Sequence, residues 1–489
     1  MEKEKDRKEV KMMIQVERTM VEAAELIFYY PITYSLSKRD ELIQTAKKHG
    51  YTFFHIDDEP NNAYYAGHNI SHAGLTQFFY PFVEDKLFPD SWEHRGFSRF
   101  SKAMNTEAFM NTRGRKIPFI VSSVDLILCP FGIAIIAIRT ALRQQLEASD
   151  VLDFAHFFRV LAPHVQEEKG ATVVYNGEHY AQRNTLIKTQ LLPFLEDFFV
   201  DYEKLGEEYS HMPFFEDERM FVSGFLRTEK GAAIPEQLLY RIGQLDGTDL
   251  NSEPFISTSN MQYVESYLAD RMLVRWAPNT YRVSSNRAHI QITNQSEQDA
   301  YARVCEFYSV DYYTVIMNYF YKIMLLKLTF EHSEIRWGKE KFVVDELIER
   351  ITKFSSRYYF DEIIVRSEGQ EASQLLRRHF RITEQYKEIK ATLEELYRIQ
   401  EDQEDERQSM FLFILTVYTV VSGIYGMNVV IDDWKGSIDW SKLGGYTFFE
   451  WIAWILGITG IALSFTIVGR TAYRALKTFR RKYRRKKYE

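Results

Sequence analysis

Eighteen consecutive residues without a charge, Met410 to Met427 (MFLFILTVYTVVSGIYGM), constrain this chain more than any other feature. A run of that length belongs in a protein core or in a bilayer, whose hydrocarbon layer takes about 20 apolar residues as a helix. A second run, Tyr446 to Val468, has 23 residues and one charge, Glu450, near its start. It opens with Tyr446, Trp451 and Trp454, rings suited to a water–lipid boundary. The pattern predicts two transmembrane helices, 410–427 and 446–468, joined by an outer loop, 428–445. The last twenty residues hold ten Lys or Arg and one Glu, so 469–489 reads as a basic tail. Such a tail beside an apolar run favours anionic lipid headgroups over nucleic acid. By the positive-inside rule both chain ends are expected in the cytoplasm, with the protein a multi-pass component of the cell membrane.

A third apolar region, Ile117 to Leu142, is read differently. Asp125 lies inside it, and Pro130, Phe131 and Gly132 punctuate it as a turn does. Its flanks, VDLILC and IAIIAI, predict two buried strands of a sheet.

The chain has 489 residues and a formal charge of -7, a length that suggests two or three structural units. Its two cysteines, Cys129 and Cys305, give neither a disulfide framework nor a zinc spacing. The charged start, MEKEKDRKEVKMM, lacks the apolar run of a signal peptide. Residues 1–305 alternate helical patterns with strand-like runs such as Leu26–Tyr30, Tyr51–Ile56, Ala171–Tyr175 and Met272–Trp276, and read as a cytoplasmic α/β domain. Residues 306–409 read as helical. From Gln370 to Gln408 there is no Pro or Gly, and Ile382, Tyr386, Ile389, Leu393, Leu396 and Ile399 recur at three- and four-residue steps. One helix of roughly 50 residues running into the first span would be about 80 Å long. A rod of that length is expected to pack against copies of itself, which makes a homo-oligomer.

The first predicted span ends Gly423-Ile424-Tyr425-Gly426-Met427-Asn428. With a long charged helix before it, a short loop, a second span and a basic tail after it, this end resembles the CorA family of divalent-cation channels, which carry Gly-Met-Asn there. The resemblance is specific over about residues 370–489. It implies a homopentamer with a funnel-shaped cytoplasmic domain, a pore lined by the first span, and passive Mg²⁺ influx closed by cytoplasmic Mg²⁺ acting as a regulatory ion. Gly426, Met427 and Asn428 would form the selectivity filter. The chemistry is apt, because Mg²⁺ gives up its water reluctantly and neutral amide and carbonyl oxygens can hold the hydrated ion. Steps of about 3.5 residues inward from Gly423 give Thr419, Thr416, Leu412, Ser409 and Asp405 as a pore-lining stripe, with Asp402 and Glu406 near its inner end. The chain departs from the family in its outer loop, where Val-Ile-Asp-Asp-Trp stands in place of a Met-Pro-Glu-Leu-like stretch.

The expected fold is therefore an α/β cytoplasmic domain, a long stalk helix and a two-helix membrane domain in a funnel-shaped oligomer. Two other functions compete. Zn²⁺, Co²⁺ or Ni²⁺ could use the same filter, although no His or Cys cluster marks the stripe. A ligand-gated membrane signalling or defence effector would use the large soluble part as a receptor. No resident cofactor is expected. An enzyme is not expected either, since His55, His68, His72 and His156 have no nucleophile–base spacing.

Overall fold

The computed structural model describes residues 16–58, 62–72, 74–93, 96–164, 168–200, 215, 218–335, 341–426, 444–452, 454–455, 458–459 and 462. Its strands are β1 (Met20–Thr33), β2 (Thr52–Phe53), β3 (Ser98–Thr112), β4 (Arg115–Leu128), β5 (Ile133–Leu142), β6 (Leu146–Glu147), β7 (Thr172–Tyr175), β8 (Glu178–Tyr180), β9 (Phe221–Thr228), β10 (Met272–Leu273), β11 (Thr280–Ser284) and β12 (Ala288–Thr293). Its helices are α1 (Arg39–Lys48), α2 (Pro81–Leu87), α3 (Ala148–Phe158), α4 (Arg183–Leu186), α5 (Glu236–Gln244), α6 (Met261–Arg271), α7 (Glu297–Glu306), α8 (Tyr312–Ser333), α9 (Lys341–Arg357), α10 (Ser367–His379) and α11 (Ile382–Gly426). The chain divides into two compact units, Met1–Leu393 and Glu394–Glu489.

Among the described residues of the first unit, twelve strands join one mixed sheet, with the main order β10-β11-β12-β9-β1-β5-β4-β3-β7-β8. The pairing of β9 with β12 is parallel, and the other ladders are antiparallel. Local turn chemistry sets several registers. Arg113 and Gly114 both have positive φ and join Thr112 to its partner Arg115. Asn176 and Gly177 do the same between β7 and β8. A two-residue loop with two left-handed residues matches the natural twist of a hairpin.

The central strands are buried on both faces, which is why β5 is apolar nearly throughout. On one face Phe28 of β1 packs against Phe154 and Phe158 of α3, with ring centroids 5.9 and 4.6 Å apart. On the other face Tyr29 meets Tyr312 and Tyr319 of α8 and shares a hydrogen bond with Ser223. A π-helical turn, Phe307–Asp311, leads into α8.

Three expectations are corrected. The single rod from Gln370 onward is broken: α10 ends at His379, Arg381 has φ 53°, and α11 begins at Ile382. Tertiary packing accounts for the break, because the buried Phe380 ring lodges against Phe221 and Tyr319. The fold is a twelve-stranded mixed sheet with helices, in place of the expected α/β domain, stalk and two-helix membrane domain of a funnel. Among the described residues no helix is long and apolar enough to cross a membrane. The transmembrane channel assignment and the multi-pass membrane location fall with that finding. The physical reason lies in α11. Among the described residues its apolar part, 410–426, rises about 25 Å. The hydrocarbon layer is about 30 Å thick.

Of the second predicted span, 446–468, only 446–452, 454–455, 458–459 and 462 are described. There Glu450 caps a helix start, its Oε2 accepting from Thr447 N at 2.7 Å and from Thr447 Oγ1 at 2.8 Å. A carboxylate that reaches back to the N–H at the helix start forms one half of a capping box. The loop 428–445, apart from Gly444 and Gly445, and the tail 469–489 lie outside the described residues.

Candidate functional site

Two places carry the chemistry, and each belongs to one unit. In the second unit, Asp405, Ser409, Leu412, Thr416 and Thr419 all lie on α11 with exposed side chains. Thr416 Oγ1 donates to Leu412 O at 2.7 Å, and Thr419 Oγ1 donates to Leu415 O at 2.8 Å. Both hydroxyl protons are thus turned inward along the helix, and the oxygens remain able to accept. The other faces are exposed as well, with Leu412 at 59% and Phe413 at 69%. Gly423 and Gly426 are placed as helix backbone, while Met427 and Asn428 lie outside the described residues.

In the first unit the sheet gathers a buried ionic centre that the sequence reading missed. Arg99 (β3), Asp125 (β4) and Arg139 (β5) lie on adjacent strands at 5%, 0% and 0% exposure. Register brings them together, because Asp125 pairs with Ser101 and Ala137 while Arg139 pairs with Ser123. Asp125 Oδ2 lies 2.9 Å from Arg99 Nε and 2.7 Å from Arg139 Nη2, and it accepts from Tyr312 OH at 2.5 Å. Arg139 Nη1 donates to Ser123 Oγ at 3.0 Å. Arg99 donates to the hydroxyls of Tyr313 and Tyr65 at 3.0 and 3.3 Å.

Burial alone would raise the Asp125 pKa, but the guanidiniums of Arg139 and Arg99 hold it down at about 2. The carboxylate is therefore ionised at neutral pH. His72 is pushed the other way, to about 3, first by burial and then by the same two arginines, so its ring is neutral. Glu25 and Arg143 adjoin the centre, so three arginines face two carboxylates, a net charge of one positive unit. Aromatic faces attend the surplus, with Arg99 4.4 Å from the Phe54 ring and Arg139 4.5 Å from the Tyr312 ring. Asp125 Oδ1 and Arg139 Nε are buried without a hydrogen-bond partner among the described residues.

Asp125 had a sequence signal, a carboxylate interrupting an apolar run, and Arg139 had the same signal within IAIIAIRTAL. Arg99 had none. Of the four scattered histidines, the fold brings His68 and His72 to the edge of the centre, leaves His156 on α3, and sets His55 where its Nδ1 accepts from Asp57 N. Among the described residues no group of three or more His, Cys, Asp or Glu is placed to hold a metal ion. No family model, no curated protein and no solved structure matches this chain.

Proposed function

We propose that copies of this chain assemble around α11 and that the assembly binds a hydrated divalent cation, Mg²⁺ first, as its likeness to CorA proteins suggests. The observation that carries the reading is the unpartnered surface of α11. Phe411, Leu412, Phe413, Ile414, Leu415, Val417 and Val420 are all exposed on one helix. Apolar surface that extensive marks an interaction site. Within it Ser409, Leu412, Thr416 and Thr419 recur at the three- and four-residue steps of one face. In a ring of copies, five on the CorA pattern, that face turns inward and offers hydroxyl oxygens to the ion's water shell. Gly426, Met427 and Asn428 extend the same site with backbone and amide oxygens. The cation site then belongs to the assembly and not to one chain.

The test pairs oligomer mass in native conditions with Mg²⁺ binding by calorimetry, for wild type and Asn428→Ala. A monomer removes the assembly, and Mg²⁺ binding unchanged in Asn428→Ala removes the assigned site. Parallel titrations with Zn²⁺, Co²⁺ and Ni²⁺ decide between Mg²⁺ and the transition metals.

The buried ionic centre favours a second reading, a ligand-gated effector in which the first unit is the receptor. Asp125 Oδ1 and Arg139 Nε would suit a ligand group that both donates and accepts. Buried perturbed groups of this kind cluster at functional sites. Ligand binding by the first unit, set against Mg²⁺ binding by the assembly, separates the two readings.

A further inference from the structure

Glu25, buried on β1, takes its partners from three different elements. His68 Nε2 lies 3.1 Å from Oε1, and Arg143 Nη1 lies 2.8 Å from the same oxygen. Tyr308 OH donates to Oε2 at 2.7 Å. His68 belongs to a strap, residues 62–72, that runs over the ionic centre. Arg143 follows β5. Tyr308 belongs to the π-helical turn that leads into α8.

Both outer partners sit in unusual backbone. In the strap, Ala66 has φ 53° and Gly67 has φ 88°. A left-handed alanine persists only where its surroundings enforce it. Here the enforcement comes from side chains that take the strap's carbonyls. Ser123 Oγ donates to Tyr64 O at 2.8 Å, Arg143 Nη2 to Ala66 O at 2.5 Å, Asn105 Nδ2 to Ala63 O at 3.1 Å, and Tyr301 OH to Asn69 O at 2.8 Å. The π-turn departs from regular helix at Phe307–Asp311, a geometry often found at functional positions. The two segments touch, with the Tyr65 and His68 rings 5.4 and 6.1 Å from the Tyr308 ring.

We infer that Glu25 is a positioning residue that joins the strap and the π-turn into one two-state latch over the ionic centre. Drawing away His68 or Tyr308 leaves an oxygen of the buried carboxylate short of a donor, and the water that enters to satisfy it competes with the remaining partner. Coupling requires an element with two arrangements that both sides bias. In the latch the strap and the turn are that element, joined at one carboxylate. The strap's Tyr65 bonds Arg99 and shares a hydrogen bond with His72, and the turn is followed directly by Tyr312, which bonds Asp125. Opening the latch therefore uncovers the centre from two sides at once. This inference stands whichever ion or ligand the protein handles.

Hydrogen–deuterium exchange on the full chain tests it. Glu25→Gln keeps the shape and removes the charge. It is expected to speed exchange by about tenfold or more in both 62–72 and 307–313, leaving Ala148–Phe158 of α3 unchanged. Tyr64→Phe removes the Tyr64 hydroxyl's hydrogen bond with Thr52 Oγ1, and its effect is expected to stay within the strap. Faster exchange in the strap alone for Glu25→Gln overturns the latch. So does spread of the Tyr64→Phe effect into the π-turn, since coupling would then bypass Glu25. If Glu25→Gln loosens α3 as well, His68→Ala decides, because that side chain is 17% exposed and tolerates truncation. Faster exchange of 307–313 in His68→Ala upholds the latch, and unchanged exchange there ends it.

Discussion

Replacing Asp125 with Asn tests the ionic centre most directly. The amide keeps an oxygen where Arg99, Arg139 and Tyr312 converge, but it removes the charge that neutralises one guanidinium. The carboxyl pKa lies at about 2 in the fold against an ordinary 3.8. At about 1.4 kcal/mol per pH unit, this depression is worth about 2 kcal/mol of stability at neutral pH. The sign follows from the lowered folded value. The contribution is complete above pH ~3.8 and is lost as pH falls through about 2. Removing one partner of a buried ion pair costs about 3–5 kcal/mol, because the remaining charge stays buried. A loss of roughly 2–5 kcal/mol is therefore expected for Asp125→Asn at pH 7. Urea unfolding followed by fluorescence and circular dichroism measures it. The wild type should also weaken between pH 4 and 2 by an amount that the variant does not show. A loss under about 1 kcal/mol, or the same acid dependence in both proteins, would refute the assignment of Asp125 as the neutralising group.

Three further outcomes follow from named contacts. Lys327 is buried on α8 with Nζ donating to Phe131 O at 2.9 Å, and burial lowers its pKa from 10.5 to about 8. Its folded value lies below the unfolded one, so the penalty is complete below pH ~8 and fades as pH rises toward 10.5. Lys327→Met, with about 3 kcal/mol of penalty relieved and about 1 kcal/mol of hydrogen bond lost, should stabilise by roughly 2 kcal/mol at pH 7. Denaturation midpoints at pH 7 and pH 10 should show that advantage shrinking. A Cβ at Gly247 would lie 2.1 Å from Asp153 Oδ1, and it would force apart the Thr248–Asp153 hydrogen bonds. Gly247→Ala should thus cost about 3 kcal/mol in urea unfolding, and a neutral result would show that Asp153 can move aside. Phe154→Ala removes a ring packed on Phe28, Phe119 and Phe158, for an expected loss of about 3–5 kcal/mol in the same measurement.

Local signals and long-range signals divided the legibility of this chain. Pro130, Phe131 and Gly132 marked a turn between two apolar runs, and β4 and β5 lie on either side of it. Residues 306–409 read as helical, and α8 forms within them. Asn176-Gly177 also announced a hairpin, a signal the sequence reading passed over. The terminal apolar runs were the strongest compositional signal, and they misled. Hydropathy counts residues along the chain, but whether a helix crosses a bilayer depends on the uninterrupted length and apolarity of the helix that forms.

The amino-acid sequence by itself determined which segments are strands, turns and helices wherever the cause lay within a few residues, as at Arg113-Gly114 or along Ser409, Leu412, Thr416 and Thr419 of α11. Tertiary structure alone decided the strand order, the break at Phe380–Arg381 and the meeting of Tyr312 with Asp125, 187 residues apart. The reason is physical. A turn or a helix face is set by neighbours in the chain. Burying Arg99, Asp125 and Arg139 is tolerable only when distant strands deliver all three to one place, and no local pattern encodes that meeting.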